Sequence, residues 1–296
     1  MATSNLGYLL TLPRFNYLAP KTVDEACSLL DKYQGAAKVM AGGTDLLVSM
    51  KKREISPQYI INIKAIPGLD NIHYSQEDGL TIGALATLHS IANSPIIKEK
   101  FVPLATAGRK VGTPQVRNMA TIGGNICNGG PSQDTIPSLL ILEAELKLIS
   151  PQGVRVVPVD KFFTAPFQTV LNQAELLTEI QIPTPPPGSS GCYQWLTKIT
   201  ASDETLVGVA VLITLDSAGG LCKDIRIGLC SVAPTPIRAR QAEELLRGKK
   251  IEDELVEKVA QVAADETRPR SRANYRRRMT SALVRRAINE AWQSIR

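Results

Sequence analysis

Along the chain the apolar positions alternate between a spacing near 3.6 and a spacing of two, and these switches predict helices and strands in turn. Thr22-Val23-Asp24-Glu25 has the form of a capping box, in which the threonine hydroxyl accepts the Glu25 amide and the glutamate reaches back to the Thr22 amide. A helix is predicted from there, with Val23, Ala26, Leu29, Leu30 and Tyr33 on its apolar face and the polar Gln34-Gly35 ending it. The short apolar run Lys38-Val39-Met40-Ala41 follows as a strand, and Tyr59 to Ile63 as another. Residues 1–60 thus read as one small α/β unit.

Short strands such as Leu80-Thr81-Ile82 and helical stretches then mix. One helical stretch runs from Ile96 to Ala107 with an interruption at Pro103, and another from Ile136 to Ala144. Leu146 to Ile149 and Val154 to Val157 flank Ser-Pro-Gln-Gly, a hairpin signal. A strand from Leu176 to Ile182 stops at Pro183, and Thr184 to Gly191, rich in proline, serine and glycine, reads as the clearest loop in the chain. Beyond it come strand-like runs at Val207 to Leu215 and Ile225 to Val232, then helices over about 238–247, 253–265 and 276–293. The expected fold class is α+β, with units at 1–60, 61–183 and 191–296, and no repeat of solenoid period is present.

Composition narrows the class. In 296 residues, 44% are hydrophobic and 21% charged, with 21 Gly and 19 Pro, a globular balance with room for several subdomains around a shared site. No window has the apolar length of a membrane span. The segment Met1 to Leu12 lacks a basic region ahead of an apolar one, so no signal peptide is expected. Five cysteines, Cys27, Cys127, Cys192, Cys222 and Cys230, form no CxxC pair, which fits reduced thiols in a cytoplasmic protein and no metal centre of the chain's own. His73 and His89 are the only histidines, too few for a metal site or triad, and are expected on a loop or helix surface. The formal charge is +6, and Arg268, Arg270, Arg272, Arg276, Arg277 and Arg278 concentrate the excess. Such a run suits a solvated helix face or a subunit contact; no nucleic-acid-reading motif accompanies it.

The sharpest local chemistry lies in two glycine turns. Ala41-Gly42-Gly43-Thr44-Asp45-Leu46 follows a strand directly, and paired glycines let successive amides point one way while an anion approaches without a Cβ between. Thr44 adds a hydroxyl donor, and Asp45 an acceptor that either orders the loop or meets a ribose or ribityl hydroxyl. Thr121-Ile122-Gly123-Gly124-Asn125 repeats the theme, so two such cradles could hold the two phosphates of a dinucleotide. Asp134, just before Thr135-Ile136-Pro137, either caps the coming helix or binds a sugar hydroxyl. One Gly-Gly pair alone is usually only a tight turn. Neither turn matches GxGxxG or the P-loop, which argues against a Rossmann domain or a nucleoside triphosphatase.

Together, Ala41 to Leu46, the stretch Gln115 to Asn128, Asp134 and Pro137 resemble the medium, FAD-binding subunit of molybdenum hydroxylases, the group of carbon monoxide dehydrogenase and the bacterial xanthine dehydrogenases. The likeness continues through Leu177 to Pro183 and Lys198 into Ala233 to Glu243 and covers nearly the whole chain. It implies a two-lobed FAD-binding domain of the vanillyl-alcohol-oxidase (PCMH) type followed by a C-terminal domain of sheet plus helices. It also implies that Val39, Met40, Ala41, Gly42, Gly43, Thr44, Asp45 and Leu46, with Thr121, Ile122, Gly123, Gly124 and Asn125, wrap the pyrophosphate and adjoining sugars. Asp134 would bind a cofactor hydroxyl, and Val111, Leu177 and Lys198 would lie along the flavin. Asn128-Gly129-Gly130 departs from the family's small-residue stretch, and the cysteine-rich insertion that lets some relatives bind a further cluster is missing.

The implied role is electron transfer within a heterotrimer, itself paired into a dimer, with no catalytic residue acting on the organic substrate. Electrons would pass from the two [2Fe-2S] clusters of a small partner, fed by a large molybdenum-cofactor partner, to FAD and on to NAD, a quinone or another acceptor. Lys198 would then favour the anionic reduced flavin. Two rivals stay open: a single-chain flavoenzyme similar to aryl-alcohol oxidases or the cell-wall enolpyruvyl reductase, and a flavin-free scaffold. The first needs acid and base groups in a substrate pocket, which the sequence does not display. Cys127, Trp195 and Trp292 read as packing residues.

Overall fold

The computed structural model describes residues 11–199, 204–216 and 220–295. Most of the segment considered for a signal peptide therefore lies outside the described residues.

Three strands and two helices open the fold: β1 (Asn16–Leu18), α1 (Val23–Tyr33), β2 (Ala37–Met40), α2 (Leu46–Lys51) and β3 (Tyr59–Asn62). The strands form a parallel sheet in the order β1-β3-β2. The cap at α1 forms with one change of partner. Thr22 Oγ1 accepts the Glu25 amide at 3.1 Å, but the Glu25 carboxylate takes the Lys21 amide at 2.7 Å rather than that of Thr22. Ala26, Cys27 and Leu30 of α1 bury against Ala37, Ile61 and Ile63, which makes the first core.

Next come β4 (Ile72–Ser75), β5 (Gly79–Gly83), α3 (Leu88–Asn93), α4 (Pro95–Lys100), α5 (Val102–Lys110), α6 (Pro114–Met119), α7 (Ile122–Asn128), α8 (Thr135–Ile141), β6 (Glu145–Ser150), β7 (Gly153–Pro158), β8 (Phe163–Ala165), β9 (Gln168–Thr169) and β10 (Leu176–Ile182). Five strands make a sheet in the order β4-β5-β10-β6-β7, with β10 antiparallel to both neighbours. The predicted helix with a break at Pro103 becomes two helices that part at Phe101, and Pro103 sits in the first turn of α5. There its missing N–H costs nothing and its fixed φ is already helical. His73 stands exposed on strand β4 rather than on a loop, and His89 is exposed on α3.

The C-terminal sheet has the order β11-β12-β13-β14, from β11 (Ser189–Leu196), β12 (Val207–Leu215), β13 (Cys222–Cys230) and β14 (Ile237–Arg238). Helices α9 (Arg240–Leu246), α10 (Asp253–Asp265) and α11 (Ala273–Gln293) follow. All nine residues of β12 are buried, because both faces of the sheet are covered. Val207, Val209, Val211 and Ile213 join α9, α10 and α11 in one core, while Tyr193, Ala210 and Leu212 join the second core with α5 and α8. The predicted loop at Thr184 to Gly191 is therefore shorter than expected. Ser189, Ser190 and Gly191 are drawn into β11 by pairing with Thr214, Ile213 and Leu212.

No helix among the described residues is long and apolar enough to cross a membrane.

Candidate functional site

The first glycine turn joins β2 to α2. Gly43 has φ of 77°, a left-handed conformation that a β-branched residue resists. The Leu47 amide closes on the Gly43 carbonyl at 3.0 Å and the Ser49 amide on that of Asp45 at 3.0 Å, which shapes the turn from behind. Among the described residues, the amides of Gly42, Gly43, Thr44 and Asp45 have no acceptor. Four consecutive backbone donors without partners, in a half-buried bend, match what an anionic group requires. Gly42 has a different task. A Cβ on it would stand 2.0 Å from the Met119 carbonyl oxygen and 3.1 Å from Ala120 Cα, so its lack of a side chain lets the first turn lie directly against the residues that lead into the second.

The second turn differs from its sequence-level expectation. Thr121 caps α7, its Oγ1 accepting the Gly124 amide at 3.1 Å. The Ile122 amide donates to the Ala86 carbonyl at 3.0 Å, that of Gly123 to Ala84 at 2.9 Å and that of Asn125 to Thr121 at 2.9 Å. The donors from Ile122 to Asn125 are thus consumed in capping α7 and strapping it to the segment after β5, so the run of uncommitted amides occurs at the first turn and not at the second. Gly123 is a packing glycine, since a Cβ there would overlap Ala84 at 2.7 Å. Gly124 is open: its only close neighbour would be its own cap hydroxyl at 3.0 Å, so a ligand can approach that face of α7 closely.

Asn125 is turned inward as well. Its side-chain amide donates to Gln133 Oε1, and its Oδ1 accepts Thr135 Oγ1 at 2.6 Å. Between those two partners stands Asp134. It makes no cap bond to α8, so that alternative is not realised. Its Oδ1 accepts two hydroxyls, Tyr193 Oη at 2.6 Å and Thr205 Oγ1 at 2.6 Å, and the residue is buried. Burial pushes the Asp134 carboxyl upward, the Thr205 and Tyr193 bonds and the Lys110 charge draw it down, and Glu204 raises it. Tyr193 and Thr205 were not singled out by the sequence, and no local signal could have found them, because they lie 59 and 71 residues from Asp134.

The remaining expected residues are more dispersed. Val39 and Met40 are half-buried on β2, and Leu46 opens α2. Val111 ends α5 and packs on the second core, and its carbonyl accepts Arg117 Nη1 at 3.0 Å. Leu177 lies inside that core, 3% exposed, opposite Leu148 on β6. Lys198 is exposed in a bend just past β11. An open cleft of about 430 Å³ runs beside the second turn, between the segment after β3 and helices α3 and α6, with Lys64, Asp70, Thr87, Asn118 and Thr121 on its walls.

All five cysteines are free thiols; burial raises Cys27 to about 11 and Cys127 and Cys222 to about 12, so they behave as packing groups. Among the described residues no group of three or more His, Cys, Asp or Glu could hold a metal ion.

The chain matches two family models end to end: the FAD binding domain in molybdopterin dehydrogenase over residues 13–185, and the CO dehydrogenase flavoprotein C-terminal domain over residues 195–291. It is 37% identical over 286 residues to the carbon monoxide dehydrogenase medium chain of Hydrogenophaga pseudoflava, covering 95% of this chain and 98% of that one. It is 31% identical to the xanthine dehydrogenase FAD-binding subunit of Escherichia coli O157:H7, covering 93% and 95%. Its structure superposes with a TM-score of 0.92 and 38% identity on a chain of the H. pseudoflava carbon monoxide dehydrogenase that lacks the Mo-pyranopterin moiety, over 96% and 99% of the two chains. The uncommitted amides at Gly42 to Asp45 and the open face at Gly124 fit the cofactor this family carries, and the chain belongs to the FAD-binding medium subunits of the molybdenum hydroxylases, an oxidoreductase flavoprotein subunit.

Proposed function

We propose that this chain relays electrons within a cytoplasmic molybdenum hydroxylase, between the [2Fe-2S] clusters of a small partner and a final acceptor such as NAD or a quinone. A large molybdenum-cofactor partner would oxidise the organic substrate, and the complex would be a dimer of heterotrimers. Bound FAD supplies the redox chemistry, accepting electrons singly and storing two. This chain's part is to hold, orient and shield it.

In this reading residues 1–60 and 61–183 are the two lobes, and 191–296 closes over them as a third unit. The pyrophosphate lies on the amides of Gly42 to Asp45, with Val39 to Ala41 and Leu46 shaping that wall. Thr121 to Asn125 form the opposing wall: Gly124 permits the approach, while Ile122 and Gly123 hold α7 in place. The second oxygen of Asp134 accepts a cofactor hydroxyl. Val111 and Lys198 border the flavin, and Leu177 acts from within the core as backing. The observation that carries the proposal is the run of four uncommitted amides packed directly against the second turn. It favours a bound flavin over a flavin-free scaffold, in which such donors would find protein acceptors. The other rival, a self-sufficient flavoenzyme, is disfavoured because the chain matches, over nearly its whole length, relatives named as medium or FAD-binding subunits.

The test is direct. The purified chain carries about one equivalent of FAD by absorbance, and Gly43→Val and Gly124→Val each lose it while keeping native circular dichroism. At Gly43 a valine cannot hold φ of 77° without strain, and at Gly124 it fills the open face. Stoichiometric FAD in both variants would refute the placement. Co-expression with genes for an Fe-S protein and a molybdenum protein yields a single complex, whereas a chain that purifies alone and oxidises a substrate supports the single-chain rival.

A further inference from the structure

The segment from Pro131 to Thr135 belongs by sequence to the FAD-binding half, yet it is clamped from both sides. On one side Gln133 and Thr135 hold the Asn125 side chain of α7. On the other, four bonds reach the C-terminal unit. The Ser231 amide donates to the Pro131 carbonyl at 2.7 Å and Ser132 Oγ to Glu204 at 2.6 Å, and the Tyr193 and Thr205 hydroxyls both donate to Asp134 at 2.6 Å. Both hydroxyls converge on one atom, Oδ1; Oδ2 has no donor among the described residues. A carboxylate has acceptor capacity on both oxygens, so Oδ2 is the oxygen left to accept a further hydroxyl.

From this geometry we infer that Tyr193 and Thr205 are positioning residues that aim Oδ2 of Asp134 at a cofactor hydroxyl, making the C-terminal unit part of the apparatus that retains FAD. The inference rests on the proposed reading that FAD lies across the two glycine turns. Neither hydroxyl touches the cofactor; each acts through Asp134. Their O–H groups lock the carboxylate's rotamer and satisfy one oxygen, so the whole remaining acceptor capacity lies on the other. Gly208 makes room for this arrangement, since a Cβ there would stand 2.5 Å from Cys230 Sγ and 2.6 Å from Tyr193 Oη.

The groups facing Asp134 define how it responds to pH. Lys110 comes from the end of α5, Tyr193 from β11, Glu204 and Thr205 from the segment before β12, and Cys230 from β13. Burial works against the charged carboxylate, and the two hydroxyl bonds and Lys110 support it against Glu204. Removing one hydroxyl raises the carboxyl further. The carboxylate is then lost at a higher pH in the variant than in the wild type as the solution is acidified, and returns as pH rises.

The experiment uses the full-length chain and follows FAD dissociation by flavin fluorescence across the pH range in which the chain stays folded. Tyr193→Phe and Thr205→Val are each expected to weaken FAD binding about tenfold at the acid end, the scale of one lost hydrogen bond to a charged group, and to converge on the wild type at the alkaline end. Asp134→Asn is weaker at every pH, and Thr205→Ser, which keeps the hydroxyl, binds as the wild type does. Thr205→Val keeps the test available if Tyr193→Phe fails to fold. A pH-independent loss in both hydroxyl variants, or wild-type affinity in both, overturns the inference. Wild-type affinity in Asp134→Asn, alongside loss in Gly43→Val, overturns the inference and leaves the FAD site standing. A wild-type chain with no affinity for FAD overturns both.

Discussion

Gly42 and Gly43 stand side by side, yet the structure assigns them opposite reasons for being glycine, and paired alanine substitutions separate the two. In Gly42→Ala the new methyl group would sit 2.0 Å from the Met119 carbonyl oxygen and 2.7 Å from its carbon. Ordinary contact needs about 3.5 Å, and both obstructing atoms are backbone, so no rotamer change relieves the overlap. The first turn or the α6–α7 junction must shift by more than an ångström. Overpacking of this kind costs about 1–3 kcal/mol. The same shift separates the two walls of the proposed FAD site, so in that reading cofactor affinity falls as well, by about tenfold for each ~1.4 kcal/mol. In Gly43→Ala the nearest neighbour is the flexible end of Leu47 at 3.3 Å, and the penalty comes instead from φ of 77°, about 1–2 kcal/mol. Asparagine tolerates that conformation, so Gly43→Asn recovers much of the stability lost by Gly43→Ala, while Gly42→Asn does not recover what Gly42→Ala loses. Urea unfolding monitored by circular dichroism, with flavin fluorescence in parallel, reads both effects. Wild-type stability and FAD affinity in Gly42→Ala would refute the close approach of the turns; equal recovery by asparagine at both positions would refute the distinction.

Two further outcomes test the framework around the site. The bidentate pair of Arg238 and Glu243 is buried, with Nε to Oε1 at 2.6 Å, and Glu243 also accepts the Ile227 amide at 2.8 Å; Glu243→Gln is expected to cost about 3 kcal/mol in urea unfolding because it removes the bidentate counter-charge of a buried guanidinium and leaves it, among the described residues, only the exposed Glu143 at 3.7 Å, and a loss within experimental scatter would refute this. The bond from Arg155 holds the Glu175 carboxyl below its usual value of 4.5, so its contribution to stability is present above that value and disappears as pH falls through the lower folded one. Glu175→Gln should therefore destabilise the chain at neutral pH and flatten its stability profile in acid, and an acid limb as steep as that of the wild type would count against the assignment.

Much of the fold was legible because it rests on local chemistry. The capping box at Thr22, the hairpin around Ser150 to Gly153 and the unbroken apolar run of β12 each state their conformation within a few residues. Where neighbours in space decide, the reading failed. Ser189-Ser190-Gly191 has loop composition, but β12 offers those backbones a ladder, and Gly191 can enter it because a Cβ would meet the Val211 carbonyl at 2.6 Å. The site follows the same division. The two glycine pairs were visible as motifs, but their unequal use of amides was not.

The sequence by itself determined the family, the order of the longer strands and helices and the residue types available to an FAD site, because spacing, propensity and motif are encoded over short stretches of chain. Only the tertiary structure decided which glycines pack and which stay open, and which hydroxyls hold the Asp134 carboxylate. Those outcomes depend on atoms far apart along the chain. The Met119 carbonyl stands against Gly42, and hydroxyls 59 and 71 residues away hold Asp134, through contacts that exist only once separate cores have docked.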